Sequence, residues 1–446
     1  MKKARLIPVH GIGTTKEAEM RAASALLAIL TVVRDLSTEL FSPLGASRAQ
    51  KATVEAYTEV EYKLDGRKIR PDGLVVVTYG NNIWSSLVEV KTGTDQLTAE
   101  QINAYWDVAR DNGIDHVLTI SNEIAPNADA HPTAGLKVRS NSKVKVTHES
   151  WTALLSTALT IKQHKGVQDP EQAYLLSELI RYLEHPASGA LSFDDMGDNW
   201  TTVREAVRNV GATPKDKGID DICSRWDQLL RYGALMLGAN LGRDVSLVLS
   251  KAHHDSTTRL DDLMDSLTRH GTLEGGLRVP DTAGDIEVFA DLRARQLVAA
   301  VEIGAPQDKG HRGRVGWLLR QLSDAPGQAI IESYPKNARN PTTASLAAIR
   351  EDRDVLVPDG KDPHKFRVVV RAEMGLNRTG GGKRAGFVGS VLGLVNTFYE
   401  QVVQDITPWQ PSAPKATTRP NEPEADTDGG EAIRQAPAPV LIDTDD

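Results

Sequence analysis

Between Arg70 and Gly93 the chain reads RPDGLVVVTYGNNIWSSLVEVKTG, two runs of strand-forming residues separated by Gly80-Asn81-Asn82. A turn of that composition between apolar runs predicts an antiparallel hairpin. Residues 89 and 91 lie two apart on the second strand, so Glu89 and Lys91 project from one face while Val90 points into a core. Asp72 stands at the mouth of the first strand, seventeen residues ahead of Glu89, and closing the hairpin brings the two carboxylates together. Two converging acids make a hard-cation site suited to Mg²⁺ or Mn²⁺, with an amine in the same pocket. The plain alternative is a pair of surface acids and a lysine blunting an edge strand. It fits poorly, because Leu87-Val88-Glu89-Val90-Lys91 is otherwise built for burial, and buried charges need partners.

The flanking segments offer further polar groups to this pocket. A helix is expected over 98–112, with Thr98 and Gln101 at its start, and Gln101 and Tyr105 share a helical face turned back toward the strand of Glu89 and Lys91. Upstream, Thr14 precedes Glu17 by three residues in a capping-box pattern and predicts a helix over 15–36. Glu17 is then used as the cap partner, whereas Glu19 lies on the core-facing row of Ala22, Ala23, Leu26 and Leu30 and is the better third acid. Glu59 and Glu61 on a preceding strand over 54–64 are alternatives; their ordinary reading is the solvated side of that strand.

Along the rest of the first half, alternation predicts a short strand over 3–9 and strands at 73–79, 83–91, 116–121 and 142–147, closed by helices at 151–162 and 170–185. Strand, helix and strand in that order imply an α/β domain, a mixed sheet flanked by helices, over residues 1–188. A second α/β or α+β domain follows over 189–410, with helices at 200–209, 219–237, 315–322 and 388–406. Its strands are expected at 245–250, 284–290, 297–303 and 365–371. Asp285 precedes Glu302 by the same seventeen residues that separate Asp72 from Glu89, although Gly304 stands where a lysine would be needed. A decayed copy of the first hairpin is one reading of that interval. Residues 411–446 turn to Pro, Ala, Thr and acids and are expected to be a disordered tail.

The bulk numbers bound the functional classes. A chain of 446 residues buries a core without staples, and its single cysteine, Cys223, excludes an internal disulfide framework. No apolar run reaches membrane-spanning length, so a soluble cytoplasmic protein is expected. The formal charge is −8, which weakens the case for a polyanionic partner, but the tail alone carries −5.

Other motifs carry less. His253-His254-Asp255 resembles a metal cluster, yet adjacent residues point apart and a solvated loop is the expected reading. Gly380-Gly381-Gly382-Lys383-Arg384 lacks the Gly and the Ser/Thr of a phosphate loop; it reads as a basic loop whose Lys383 and Arg384 could touch a phosphate backbone. His10-Gly11 resembles an oxyanion-hole motif without a Gly-x-Ser-x-Gly to serve it. Arg312, Arg314 and Arg320 with Trp317 would make a second phosphate-binding face, unless the helix is an ordinary surface element with a core Trp.

On Asp72, Glu89, Lys91 and Gln101-to-Tyr105, residues 1–185 resemble the PD-(D/E)XK nuclease superfamily, the restriction-endonuclease-like fold, and within it the RecB-type branch with a QxxxY motif. The segments ARLIPVHGIG, EAEMRAASALLAIL, RPDGLVVV, LVEVKTG and LTISNEI also look like an uncharacterised group of actinobacterial proteins labelled stress-response proteins. The resemblance implies Asp72, Glu89 and Lys91 as the catalytic set, Gln101 as an assisting residue and Glu19 as the helix acid. A Mg²⁺- or Mn²⁺-dependent deoxyribonuclease is therefore expected, serving phage defence, DNA repair or a stress response. A protein partner would be taken through the C-terminal domain or tail. The alternative is a catalytically silent nucleic-acid-binding or regulatory protein that keeps the fold as a scaffold.

Overall fold

The hairpin over residues 73–90, its first strand alternately buried and its second buried on both faces toward its end, sets the architecture. In a computed structural model that describes residues 4–46, 51–126, 130–138, 141–190, 192–379 and 386–410, the chain begins with helices α1 (Thr15–Val32) and α2 (Arg34–Phe41). Strand β1 (Thr53–Thr58), a small hairpin of β2 (Tyr62–Leu64) and β3 (Arg67–Ile69), and the strands β4 (Gly73–Tyr79) and β5 (Asn82–Val90) follow. Next come α3 (Ala99–Asp111), β6 (His116–Ser121), β7 (Lys145–Ser150), α4 (Trp151–Thr160) and α5 (Pro170–Leu183). β4 and β5 join through a two-residue turn in which Gly80 takes φ +58°, the left-handed geometry that suits the twist of a tight hairpin.

The first sheet has the order β1-β4-β5-β6-β7. β1, β4 and β5 run antiparallel, whereas β6 and β7 are parallel to β5 and to each other. One face, carrying Val88, Val90, Leu118 and Ile120, packs on α1, α2, α4 and α5 through Leu26, Leu30, Phe41, Trp151 and Leu179. The other face, with Leu87 and Val117, packs on α3 through Tyr105 and Val108 and on the underside of the β2–β3 hairpin. Gly73 lets α1 approach closely: a Cβ there would meet Leu27 Cδ1 at 2.5 Å, and this proximity carries the start of α1 to the end of β5.

The second half contains α6 (Trp200–Arg208), α7 (Ile219–Leu241), β8 (Ser246–Leu247), α8 (Ser256–Arg269), β9 (Thr272–Arg278), β10 (Ile286–Asp291) and β11 (Gln296–Gly304). It ends with α9 (His311–Gln321), β12 (Ile330–Pro335), β13 (Thr342–Ser345), α10 (Leu346–Glu351), β14 (Pro363–Glu373) and α11 (Phe387–Phe398). Its sheet, β13-β12-β14-β11-β10-β9-β8, is antiparallel throughout and has its own core around Trp200, Trp226, Phe366 and Phe387. Residues 1–409 form one compact unit, joined where α4 meets α7 and Ser156 Oγ donates to the Leu235 carbonyl at 2.9 Å. No helix among the described residues is long and apolar enough to cross a membrane.

Several expected elements are redrawn. Residues 4–9 form no strand: the Leu6 N–H donates to Glu178 Oε2 (2.7 Å), and the carbonyls of Pro8 and His10 accept from Arg21 Nη1. The helix over 15–36 breaks at Val33, where ψ swings to +92°, and the strand over 54–64 breaks at Glu59, whose φ is +63°. In the second half α8, β9, β12, β13 and α10 occupy stretches that carry no expected element. His253 and His254 lie in a short turn before α8, where His253 meets Asp262 at 2.8 Å and Asp255 caps the helix. The expectations placed on Lys383, Arg384 and the tail from Pro411 lie outside the described residues.

Candidate active site

The register that sets Gly73 opposite Val88 puts Asp72 level with Glu89 at the end of the first sheet. Asp72 Oδ2 accepts the Val90 N–H at 2.8 Å, which fixes its carboxylate against the neighbouring strand. Glu89 is 2 % exposed. Lys91 lies one residue past β5, but its backbone is held on both sides: its N–H donates to the Ile120 carbonyl at 2.7 Å, and its own carbonyl accepts from Trp151 Nε1 at 2.8 Å. Lys91 Nζ stands 3.1 Å from Glu89 Oε1 and 3.3 Å from Glu19 Oε2. Glu19 arrives from the first turns of α1, which start at the expected capping box, with Glu17 Oε2 accepting from the Gly13 and Thr14 N–H groups.

From the other side, Gln101 Nε2 donates to Glu89 Oε1 at 2.6 Å and lies 3.0 Å from the Tyr105 hydroxyl. Asp72, Glu89, Lys91, Glu19, Gln101 and Tyr105 are therefore gathered at one place, three acids and one ammonium sharing a largely buried pocket. Among the described residues five buried side-chain polar atoms lack any hydrogen-bond partner, and two of them, Glu19 Oε1 and Glu89 Oε2, are carboxylate oxygens of this pocket. An unpartnered buried acceptor costs about 1–3 kcal/mol and a charged one more, so such oxygens call for a proton or a cation.

The titration of the group follows from that crowding. Burial, and then the charge of Asp72, push Glu89 up to about 7. Burial also raises Asp72 and Glu19, against the opposing pull of the Val90 N–H on Asp72 and of Lys91 on both. For Lys91 burial works to lower the pKa, but the adjacent Glu89, Glu19 and Asp72 outweigh it and the net direction is up. The amine is thus an ammonium at neutral pH and acts through charge rather than as a base. Burial and the neighbouring Glu89 raise Tyr105, which stays a neutral phenol.

No three His, Cys, Asp or Glu side chains among the described residues form a ready-made metal cage, and Lys91 is within ion-pair distance of both Glu19 and Glu89. The donor set nevertheless fits a hard divalent ion: carboxylate oxygens from three elements, two of them unsatisfied.

Other expected residues lie elsewhere. Glu59 pairs with Arg70 at 2.8 Å and Glu61 with Lys68 at 3.1 Å, both on the surface; the break at Glu59 removes the common strand face that would have aimed them inward. Arg314 is buried, and its guanidinium donates to the carbonyls of Lys309 (2.5 Å), Pro363 (2.6 Å) and Gln307 (3.3 Å), so it staples loops and has no free face for phosphate. Trp317 is in the core, Arg312 is bound to Asp354, and Arg320 is exposed on α9; the joint phosphate-binding face is not assembled.

A chain of polar groups beside Glu89 carries no motif. Across the parallel strands Glu89 is level with Thr119, and Thr119 with His148. The Thr133 N–H donates to His131 Nδ1 (3.0 Å), which leaves the proton of neutral His131 on Nε2, 2.8 Å from Thr119 Oγ1. His148 Nε2 faces the Glu123 carbonyl at 2.9 Å, so His148 Nδ1 accepts from the Thr119 hydroxyl at 3.0 Å. Burial pushes both imidazoles to about 4, which keeps the chain neutral and intact. Its only sequence signal is the strand register relative to Glu89, visible once β6 and β7 are known to be parallel.

Comparison of the chain with protein-family models, with curated proteins and with solved structures returned no match.

Proposed function

We propose that the chain is a divalent-cation-dependent nuclease that hydrolyses phosphodiester bonds of DNA, on a restriction-endonuclease-like core. The observation that carries the reading is the pair of unpartnered, buried carboxylate oxygens of Glu19 and Glu89 beside Asp72 and the Lys91 ammonium. An antiparallel three-strand meander followed by α3 and a parallel β6 supports the fold assignment.

Asp72, Glu89 and Glu19 would hold the cation, which when bound supplies Lewis acidity toward the scissile phosphate and lowers the pKa of water. The protein's own groups divide the remaining work. Asp72 is pre-set by the Val90 N–H. Gln101 fixes one oxygen of Glu89 and leaves the other turned inward. Lys91, permanently charged, orients the attacking water and offsets the negative charge that grows on the phosphate in the transition state.

A scaffold reading draws on one feature, that Lys91 bridges both glutamates and so partly neutralises the pocket by itself. The two are separated by incubating purified protein with DNA and Mg²⁺ or Mn²⁺. The nuclease reading expects cleavage that disappears in Asp72→Ala and Lys91→Ala while both variants stay folded, each with a cooperative melting transition. Cleavage undiminished by both changes refutes the site, and no cleavage with any divalent ion favours the scaffold.

A further inference from the structure

Two clefts flank the acid cluster, and they differ in charge. The cleft that begins at Gly93, two residues past Lys91, has a volume of about 550 Å³ and is lined by Asp95, Glu123, Asp194, Asp195, Asp198 and Asp221, with Arg225 as its one cation among the described residues. A polyanion is repelled there. The other, about 680 Å³, lies between the β2–β3 hairpin and the face of α3 that carries Gln101 and Tyr105. It is bordered by Arg67, Lys68 and Arg70, with Asp65 and Glu100 as its acids. Its inner end is the same Gln101 amide that sits 2.6 Å from Glu89 Oε1, so the groove leads straight to the cluster.

We propose that this groove holds the sugar–phosphate backbone on one side of the scissile bond, with Arg67 and Arg70 as its phosphate ligands; the proposal rests on the nuclease reading above. The hairpin is built for the task. It belongs to neither large sheet, and the break at Glu59 swings it over α3, where Tyr62, Leu64 and Ile69 pack against the core beneath. Pairing of Leu64 with Arg67 and of Tyr62 with Ile69 puts Arg67 on that same α3-facing side at the hairpin tip. Lys63 is on the opposite side, level with Lys68, whose side chain touches the groove's rim but is paired with Glu61 at 3.1 Å. Arg67 has no ion-pair partner among the described residues, and the Arg70–Glu59 pair at 2.8 Å is half-exposed or more on both sides. Exposed pairs of that kind are weak, so exchanging Glu59 for a phosphate, which a guanidinium can grip with two parallel bonds, meets little opposition.

The test measures binding of a labelled single strand by fluorescence anisotropy across a salt series, in the Lys91→Ala background with Mg²⁺, and cleavage kinetics in the otherwise wild-type protein. DNA and RNA of one sequence form separate arms, since both present the same backbone charge. The double change Arg67→Gln/Arg70→Gln is expected to weaken binding at least tenfold, to lower the slope of log K against log salt by about 1.4, at roughly 0.7 per phosphate contact on a single strand, and to raise KM with kcat within twofold. Lys63→Gln, on the far side of the same hairpin, is expected to leave the slope unchanged. Unaltered affinity and slope in the double variant overturn the groove while cleavage by the wild type keeps the nuclease reading. An equal loss from Lys63→Gln overturns it too, by making the effect one of net charge. Wild-type protein that neither binds nor cuts either polymer removes the premise itself.

Discussion

The two hairpins β4–β5 and β10–β11 share one acid-to-glutamate interval with opposite outcomes, the first closing through a two-residue turn and the second through a four-residue loop. In both, an acid precedes the first strand and stands level with a glutamate on the second: the register sets Gly73 against Val88 and Ile286 against Val301. Both pair on one side with a preceding antiparallel strand, β1 or β9, and lead into a helix. At the first hairpin, α1 and α3 close over the carboxylates, Lys91 joins them, and Glu89 is left with an unsatisfied oxygen. At the second, β14 inserts beside β11, and Lys365 on that strand takes Glu302 at 2.5 Å with its side chain 46 % exposed. Asp285 turns to Arg278 at 2.7 Å. Each acid of the second hairpin has its own cation in solvent, so no shared pocket arises. Equal spacing yields a site only where helices cover the strand ends and the charges have to be shared.

The contrast can be broken most directly by activity. Lys91→Ala or Asp72→Ala is expected to lower divalent-dependent DNA cleavage at least about 100-fold, the scale of losing one preorganised group in a charged transition state; Asp285→Asn and Glu302→Gln are expected to leave the rate unchanged. A comparable loss from the second pair would show that the echo is functional.

Stability against pH gives the next largest effect. Below about pH 4.5 Glu89 is protonated in folded and unfolded chains alike; between there and about 7 only the folded chain keeps the proton. Glu89's own contribution to stability in divalent-free buffer therefore falls as pH rises through this window, by on the order of 3 kcal/mol, while His131 and His148, held near 4, contribute in the opposite direction. Denaturant melts should show it as a difference between wild type and Glu89→Gln that shifts against the wild type as pH rises from about 4.5 to about 7. Smaller again is the pair on α9. Arg314→Ala strands three carbonyls and should cost about 2 kcal/mol of stability without altering affinity for nucleic acid. Arg320→Ala, exposed, should stay within about 0.5 kcal/mol.

The site was more legible than the fold around it. Asp72, Glu89, Lys91, Gln101, Tyr105 and Glu19 could be read because each depends on local geometry, the two-residue period of a strand, the four-residue period of a helix, or a capping box. What escaped depends on distant packing. Gly275 and Gly276 in β9 look like a loop, yet a Cβ at Gly275 would meet Leu230 Cδ1 at 2.2 Å, so α7 requires glycine within that strand. α8 buries only Leu263 and Leu267 among its apolar residues, too few to produce a visible stripe. Arg314 has the composition of a phosphate ligand and the surroundings of a buried staple, a difference that the loop before α9, through Gln307 and Lys309, and the start of β14 at Pro363 create together. Thr119, His131 and His148 became a connected chain only after parallel pairing brought β6 and β7 level with Glu89.

The claim on which the account turns is that Glu19 and Glu89 present their spare oxygens to a divalent cation. Calorimetric titration of Mn²⁺ into the protein at pH 7.5 tests it without reference to any substrate. Saturable binding to one class of site, abolished in Glu89→Gln and retained in Glu302→Gln, is the expected result. Absence of binding in the wild type, or the same isotherm in Glu89→Gln, would contradict it.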